Sequence, residues 1–163
     1  MPTQLGGGIR KLDTVKMLLD SGIKRVILGT VAVEDPNLVK ESCRNFGEAI
    51  IVSLDAREGR LATWGWRKET ELRAFEFAKE MVQLGVKRLI YTDITRDGTL
   101  TEPNFKAIAE FKEAVGTPVI AAGGFAKLEH VKRLKEIGIE GAIAGRALYT
   151  GDLDLKQAIL AAK

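Results

Sequence analysis

One aspartate and two pairs of glycines are the residues of this sequence best suited to chemistry. Asp55 closes the apolar run Ala49-Ile50-Ile51-Val52-Ser53-Leu54. A carboxylate at the end of a buried strand is desolvated, which raises its pKa and suits it to act as an acid near neutral pH. The same position suits a carboxylate that caps the next turn or pairs with Arg57 or Arg60. Gly7-Gly8 and Gly123-Gly124 each end a short apolar segment at the mouth of a helix, and Gly29-Thr30 and Gly145-Arg146 do so again. Backbone N–H groups freed by glycine beside a helix N-terminus make a seat for a phosphate. Thr92 and Asp97 are weaker candidates, the second because Asp97-Gly98 is also a common turn signal. Arg10, Arg146 and Trp66 can meet an anion or a planar ring. His130, among Lys127, Lys132 and Arg133, reads as a solvated mid-helix residue. No spacing of Cys, His or carboxylates points to a metal, and no cofactor is expected.

The glycine pairs belong to a longer repeat. Residues 5–33 align without a gap on residues 121–149, and 11 of the 29 positions are identical. These include Gly7/Gly123, Gly8/Gly124, Lys11/Lys127, Leu12/Leu128, Gly22/Gly138 and Gly29/Gly145. Average residue usage would give about two identities by chance. The repeat runs through the intervening helix, so it predicts two phosphate seats related by an approximate twofold.

The elements that must hold these residues follow from the apolar pattern. Met1–Gly8 reads as the end of a strand and its turn. Leu12, Val15, Leu18, Leu19 and Ile23 keep helical spacing up to the stop at Gly22. Arg25–Gly29 is a buried strand. Asp35 before Pro36 suits an N-cap and first helical position, and Leu38, Val39, Ser42, Cys43 and Phe46 face inward. Ala49–Asp55 is a strand covered on both faces. A helix from about Glu69 to Leu84 would bury Leu72, Phe75, Ala78 and Val82. Arg88–Asp93 is the next strand, and Pro103 opens another helix. Thr117–Phe125 and Gly141–Arg146 read as buried strands ending in glycine, before a terminal helix with Leu155, Ala158 and Ile159. Strand and helix alternate six times, which predicts one parallel sheet with right-handed crossovers. Residues 1–163 read as a single domain, a partial (β/α)8 barrel of about six units. In such barrels the phosphate seat lies after strands seven and eight, at the strands' C-terminal ends.

Composition narrows the partners. The formal charge of +3, from 25 basic and 22 acidic residues mixed along the chain, is a solvated surface and not a nucleic-acid footprint. No run of 18 apolar residues is present, so no membrane span is expected. Met1–Gln4 run straight into Gly6, so no signal peptide is expected either. One cysteine, Cys43, excludes an internal disulfide, fits a cytoplasmic location and reads as a small core residue.

Several segments together resemble one family. They are Gln4–Arg10, Ile27–Thr30 with Glu34-Asp35-Pro36, Val52–Asp55 with Gly65-Trp66, Tyr91–Ile94 with Arg96–Thr99, and Ala122–Gly124 with Ala144–Arg146. In order and over essentially the whole chain, they resemble the ProFAR isomerases of histidine biosynthesis, twofold-symmetric (β/α)8 barrels. The resemblance implies a cofactor-free Amadori rearrangement of an aminoaldose to an aminoketose on a substrate with a phosphate at each end. It implies that Asp55 is the general acid and Thr92 assists at the sugar, with Asp97 in the matching loop. Gly7, Gly8, Gly29 and Thr30 match one phosphate site, and Gly123, Gly124, Gly145 and Arg146 the other. Trp66 and Arg10 match positions that pack on the substrate. The family's first strand, with its base aspartate, and second unit have no counterpart here, so the chain corresponds to units three to eight. A fragment inactive or weakly active alone is therefore expected, completed by an N-terminal fragment or by self-association. A non-catalytic phosphate-binding partial barrel and the sister cyclase of imidazole glycerol phosphate synthase are the alternative readings.

Overall fold

The computed structural model describes residues 1–63 and 68–163, and of residues 63 and 68–71 the backbone alone. Six parallel strands form the sheet's backbone, in chain order: β1 (Gln4–Gly6), β2 (Arg25–Leu28), β3 (Ile50–Arg57), β6 (Leu89–Asp93), β7 (Val119–Ala122) and β8 (Gly141–Ile143). Between them run α1 (Leu12–Asp20), α2 (Thr30–Glu34), α3 (Pro36–Phe46), α4 (Ala74–Gln83), α5 (Phe105–Val115) and α6 (Leu128–Ile137), with α7 (Arg146–Thr150) and α8 (Leu155–Ala162) closing the chain. The Asp35 side chain caps α3 by accepting from the Leu38 amide, and Pro36 takes the first helical position as its spacing predicts. The helix expected to open at Pro103 starts two residues later, at Phe105, with the Asn104 side chain as its cap.

The alternation of side chains along each strand sets the two faces. Ile50, Val52 and Leu54 of β3, Leu89 and Tyr91 of β6 and Val119 and Ala121 of β7 join the main core beneath the helices. Ile51, Ile90, Ile120, Ala122 and Ile27 form a separate apolar cluster on the other face. The sheet curls about this second face as a half-barrel. At the strands' N-terminal ends Glu140, just before β8, meets Arg88 at 2.6 Å and Arg25 of β2 at 3.7 Å. Glu140 therefore ties one flank of the curl towards the other. Each such partly buried pair is worth on the order of 1 kcal/mol, so the pairs pin curvature more than they supply stability.

The middle of the chain departs from the sequence reading. β3 runs two residues past Asp55, turns through Glu58 (φ 51°) and Gly59 (φ 77°), and returns as β4 (Arg60–Thr63). Positive φ at both loop residues is the turn whose twist matches a two-residue hairpin. β5 (Lys68–Arg73) pairs antiparallel to β4, so α4 starts at Ala74 and not near Glu69. Its buried face is Ala74, Phe77, Ala78 and Met81, while Leu72 and Phe75 lie exposed. Two overlapping helical patterns exist in this stretch, and the later helix start selects the second. The outer strands are also exposed: Leu5 of β1 and Ile143 of β8 are 40% and 46% accessible, because neither strand has an outer neighbour among the described residues.

Candidate functional site

All six parallel strands point the same way, so the ends that carry Gly7-Gly8, Asp55, Thr92 and Gly123-Gly124 lie on one rim of the sheet. Asp55 sits directly opposite Thr92 in the β3–β6 register, and Thr92 opposite Ala122 in the β6–β7 register. Neighbours in register share a sheet face, and Asp55 lies four residues along from Ile51 on the curl's inner side. Asp55 is half-buried and lines a cavity of about 460 Å³. Gly6, Gly7, Gly8, Arg10, Gly29, Thr30 and Ser53 line the same cavity. One concavity thus gathers a carboxylate, two hydroxyl side chains, a cation and a glycine turn. Ser53 is the member that sequence reasoning passed over; strand alternation from Asp55 would have found it.

The second glycine turn repeats the backbone of the first. Gly7 and Gly8 have φ of 105° and 67°, Gly123 and Gly124 of 99° and 82°, values open to glycine and strained for other residues. Gly29 and Gly145, each leading into a five-residue helix, have φ/ψ of −106°/−111° and −103°/−102°. The repeat therefore extends from sequence to conformation. The surroundings differ. Asp97, Gly98, Leu100, Phe125, Gly145 and Arg146 close around Gly123-Gly124 and leave a cavity of only about 20 Å³. Arg146 Nη1 donates to the Gly98 carbonyl at 2.8 Å.

Two polar residues outside the candidate site read from the sequence hold this second turn. Asp93, 6% accessible, accepts from the Thr95 amide and hydroxyl, and its carbonyl accepts from the Arg96 and Asp97 amides. It thereby shapes the loop that carries Asp97 and Gly98. His130 is buried, not solvated as its charged neighbours imply. It is the third residue of α6, and its Nδ1 accepts from the Ala126 amide at 3.3 Å. A third-position side chain reaching back to an amide before the helix is capping geometry, and that position was the sequence signal. Burial first, and the helix cations Lys127 and Arg133 after it, lower the His130 pKa against the opposing pull of Glu102 and Glu129.

Other expectations are placed as follows. Trp66 lies outside the described residues. Cys43 is buried in the core, and burial pushes its thiol up to about 11, which fits a packing role and no nucleophile. Among the described residues no group of three or more His, Cys, Asp or Glu could hold a metal. No helix among them is long and apolar enough to cross a membrane.

Comparison with known proteins matches residues 1–154 to the model of a family described as histidine biosynthesis protein. The chain belongs to that family. Its relatives include proteins named 1-(5-phosphoribosyl)-5-((5-phosphoribosylamino)methylideneamino) imidazole-4-carboxamide isomerase. The one from Dehalococcoides mccartyi strain 195 is 58% identical over 158 residues, covering 97% of this chain and 67% of the relative. That from Thermoanaerobacter pseudethanolicus is 51% identical over 163 residues, covering 100% of this chain and 69% of the relative. That from Roseiflexus castenholzii is 49% identical, covering 98% and 68%. This histidine-biosynthesis protein thus spans about two thirds of the length of these isomerases. Its curled parallel sheet with intervening helices is an incomplete barrel of the kind the sequence predicts.

Proposed function

We propose that this chain carries the acid half and both phosphate seats of a cytoplasmic ProFAR isomerase. The observation that carries the reading is the placement of Asp55 in register with Thr92, on the same rim as two glycine turns of matching backbone conformation. The substrate is an aminoaldose with a phosphate at either end. The first seat is Gly7, Gly8, Gly29 and Thr30, with Arg10 beside it. The second is Gly123, Gly124, Gly145 and Arg146, with Asp97 beside it. The family resemblance adds Trp66 to the residues assigned to the substrate. Held at both ends, the ribose lies across the mouth of the sheet, above Asp55 and Thr92.

The chemistry proceeds in two stages, ring opening and then a shift of hydrogen from C2 to C1. Asp55 donates a proton to the ribose ring oxygen as the C1–O bond opens, and the nitrogen lone pair forms a C1–N double bond. A base then takes the C2 proton to give an enolamine; its C2 hydroxyl gives up a proton as C1 gains one, leaving the C2 ketone. Thr92 steadies the sugar hydroxyl near the opening bond. The base belongs to a strand beyond β1, in the portion that the longer relatives carry and this sequence does not match. A complementing N-terminal fragment supplies that strand; association between copies, each with the same residues, covers the open strands without supplying the base. The exposed strands β1 and β8 and the exposed Leu155, Ile159 and Leu160 of α8 support such a contact, because they leave backbone and apolar groups open to a neighbour.

The test is turnover of ProFAR by the chain alone and after mixing with a polypeptide spanning the first two βα units of a relative. Activity that appears on mixing and falls about 10²–10⁴-fold in Asp55→Asn is the expected result. Phosphate binding with no turnover in either preparation would leave a non-catalytic binding module in place of the enzyme.

A further inference from the structure

We propose that His130 is the positioning residue of the second phosphate seat, a neutral clasp that holds the Gly123–Ala126 turn in its anion-ready shape. This rests on the phosphate reading of the glycine turns and adds a residue to it. The contact is one hydrogen bond in a dry place: the Ala126 amide donates to His130 Nδ1 at 3.3 Å, and His130 is 8% accessible. Nδ1 can accept only when it carries no proton, so the bond requires the tautomer with hydrogen on Nε2. The ring is further held by Phe105 in a T-shaped contact, 5.9 Å between centroids. Arg133 lies over the other partner's ring, 4.3 Å from the centroid of Phe105.

The first copy lacks the device. Thr14 occupies the position equivalent to His130 and Arg10 the position equivalent to Ala126. Among the described residues Thr14 makes no side-chain hydrogen bond. Gly7 and Gly8 would each accept a Cβ with nothing within 4 Å, whereas a Cβ at Gly123 would meet the Asp93 carbonyl oxygen at 2.6 Å. The second turn is thus packed on one flank by Asp93 and fastened on the other by His130. Protonation of Nδ1 replaces the acceptor by a donor facing the Ala126 N–H, and the turn loses its fastening. The charged groups that face the ring are Glu102 from the β6–α5 loop and Lys127, Glu129 and Arg133 from α6 and its cap. Their signs oppose one another, and burial is the largest influence on the proton's affinity.

Inorganic sulfate is the probe, because it stays dianionic from pH 8 to 5 whereas phosphate itself titrates. Amide chemical shifts of Gly8 and Gly29 report the first seat, and those of Gly124 and Gly145 the second, with the 163-residue chain titrated at each pH. Sulfate affinity at the second seat is expected to fall as His130 protonates below its ordinary range, and affinity at the first seat to lack that step. His130→Ala should weaken the second seat about tenfold at pH 8, the worth of one buried hydrogen bond. His130→Asn, whose side-chain oxygen reaches the Nδ1 position, should restore affinity at pH 8 and remove the step. Second-seat affinity that rises on protonation, as attraction between sulfate and an imidazolium would give, overturns the clasp. So does an unchanged second seat in His130→Ala. Sulfate that shifts neither pair of glycines overturns the phosphate reading itself and the clasp with it.

Discussion

The two copies of the glycine turn share backbone angles and eleven residues, yet one lies open and the other lies shut. Gly7 and Gly8 are exposed at the rim of a cavity of about 460 Å³, next to Arg10 and Thr30. Gly123 and Gly124 are buried under the loop from Asp93 to Glu102, with about 20 Å³ left between them and Arg146. Local sequence sets the turn in both, because positive φ at two consecutive residues needs glycine wherever it occurs. The neighbour sets what the turn can admit. β7 stands beside β6, whose loop folds over its turn; β1 stands at the sheet's edge, where no described loop covers it. A duplicated cradle is therefore two sites with two different first tasks, one to admit a ligand and one to open for it.

The largest expected effect comes from placing a methyl group in each turn. Gly123→Ala must push a Cβ against the Asp93 carbonyl oxygen, which stands 2.6 Å away, besides accepting an unfavourable φ. It should cost about 3 kcal/mol or more in urea unfolding. Gly7→Ala meets no neighbour and should cost about 1–2 kcal/mol, the strain of its φ alone. Equal losses would mean that the two turns are packed alike.

A middle effect separates the seats by charge. Arg146→Ala removes both the cation and the bond to the Gly98 carbonyl. It should weaken inorganic phosphate about tenfold or more at Gly124 and Gly145, with the shifts of Gly8 and Gly29 unchanged. Loss at both pairs would deny that the seats are independent.

The smallest effect is on acid stability. Unfolded, His130 takes a proton near its ordinary value of 6.5; folded, burial keeps it neutral to lower pH. Between the two the unfolded chain binds more protons, so this contribution is full above about pH 6.5 and declines as pH falls towards the folded value. Thermal melts from pH 7.5 to 5 should fall less in His130→Asn than in the parent chain. Parallel slopes would remove the buried imidazole from the account.

Much of this was legible before any coordinates. The repeat, the parallel alternation, the strand before Asp55, the Asp35–Pro36 helix start and the register-independent list of rim residues all follow from periods of 2 and 3.6 and from glycine. What escaped did so for physical reasons. The turn at Gly59 is legible from its glycine, but the antiparallel pairing of β4 and β5 escaped because two helical patterns overlap between Leu72 and Val82. His130 escaped because its neighbours in the chain are charged while its neighbours in space, Ala126 and Phe105, are not. β8 has the small apolar residues of a buried strand, but six units where a closed barrel needs eight already leave the strands ending near Gly6 and Gly145 as open edges, and they are edges in the fold.

Taken by itself, the amino-acid order determined where this chain bends, which segments alternate and which residues reach the C-terminal rim, since those properties arise within a few bonds of each residue. Only the tertiary structure decided that Asp55 faces Thr92 across adjacent strands, that Arg25 and Arg88 share Glu140, and that one glycine turn is roofed while its twin is bare. Those outcomes depend on contacts between residues far apart in the chain, and such contacts exist only once the sheet has curled.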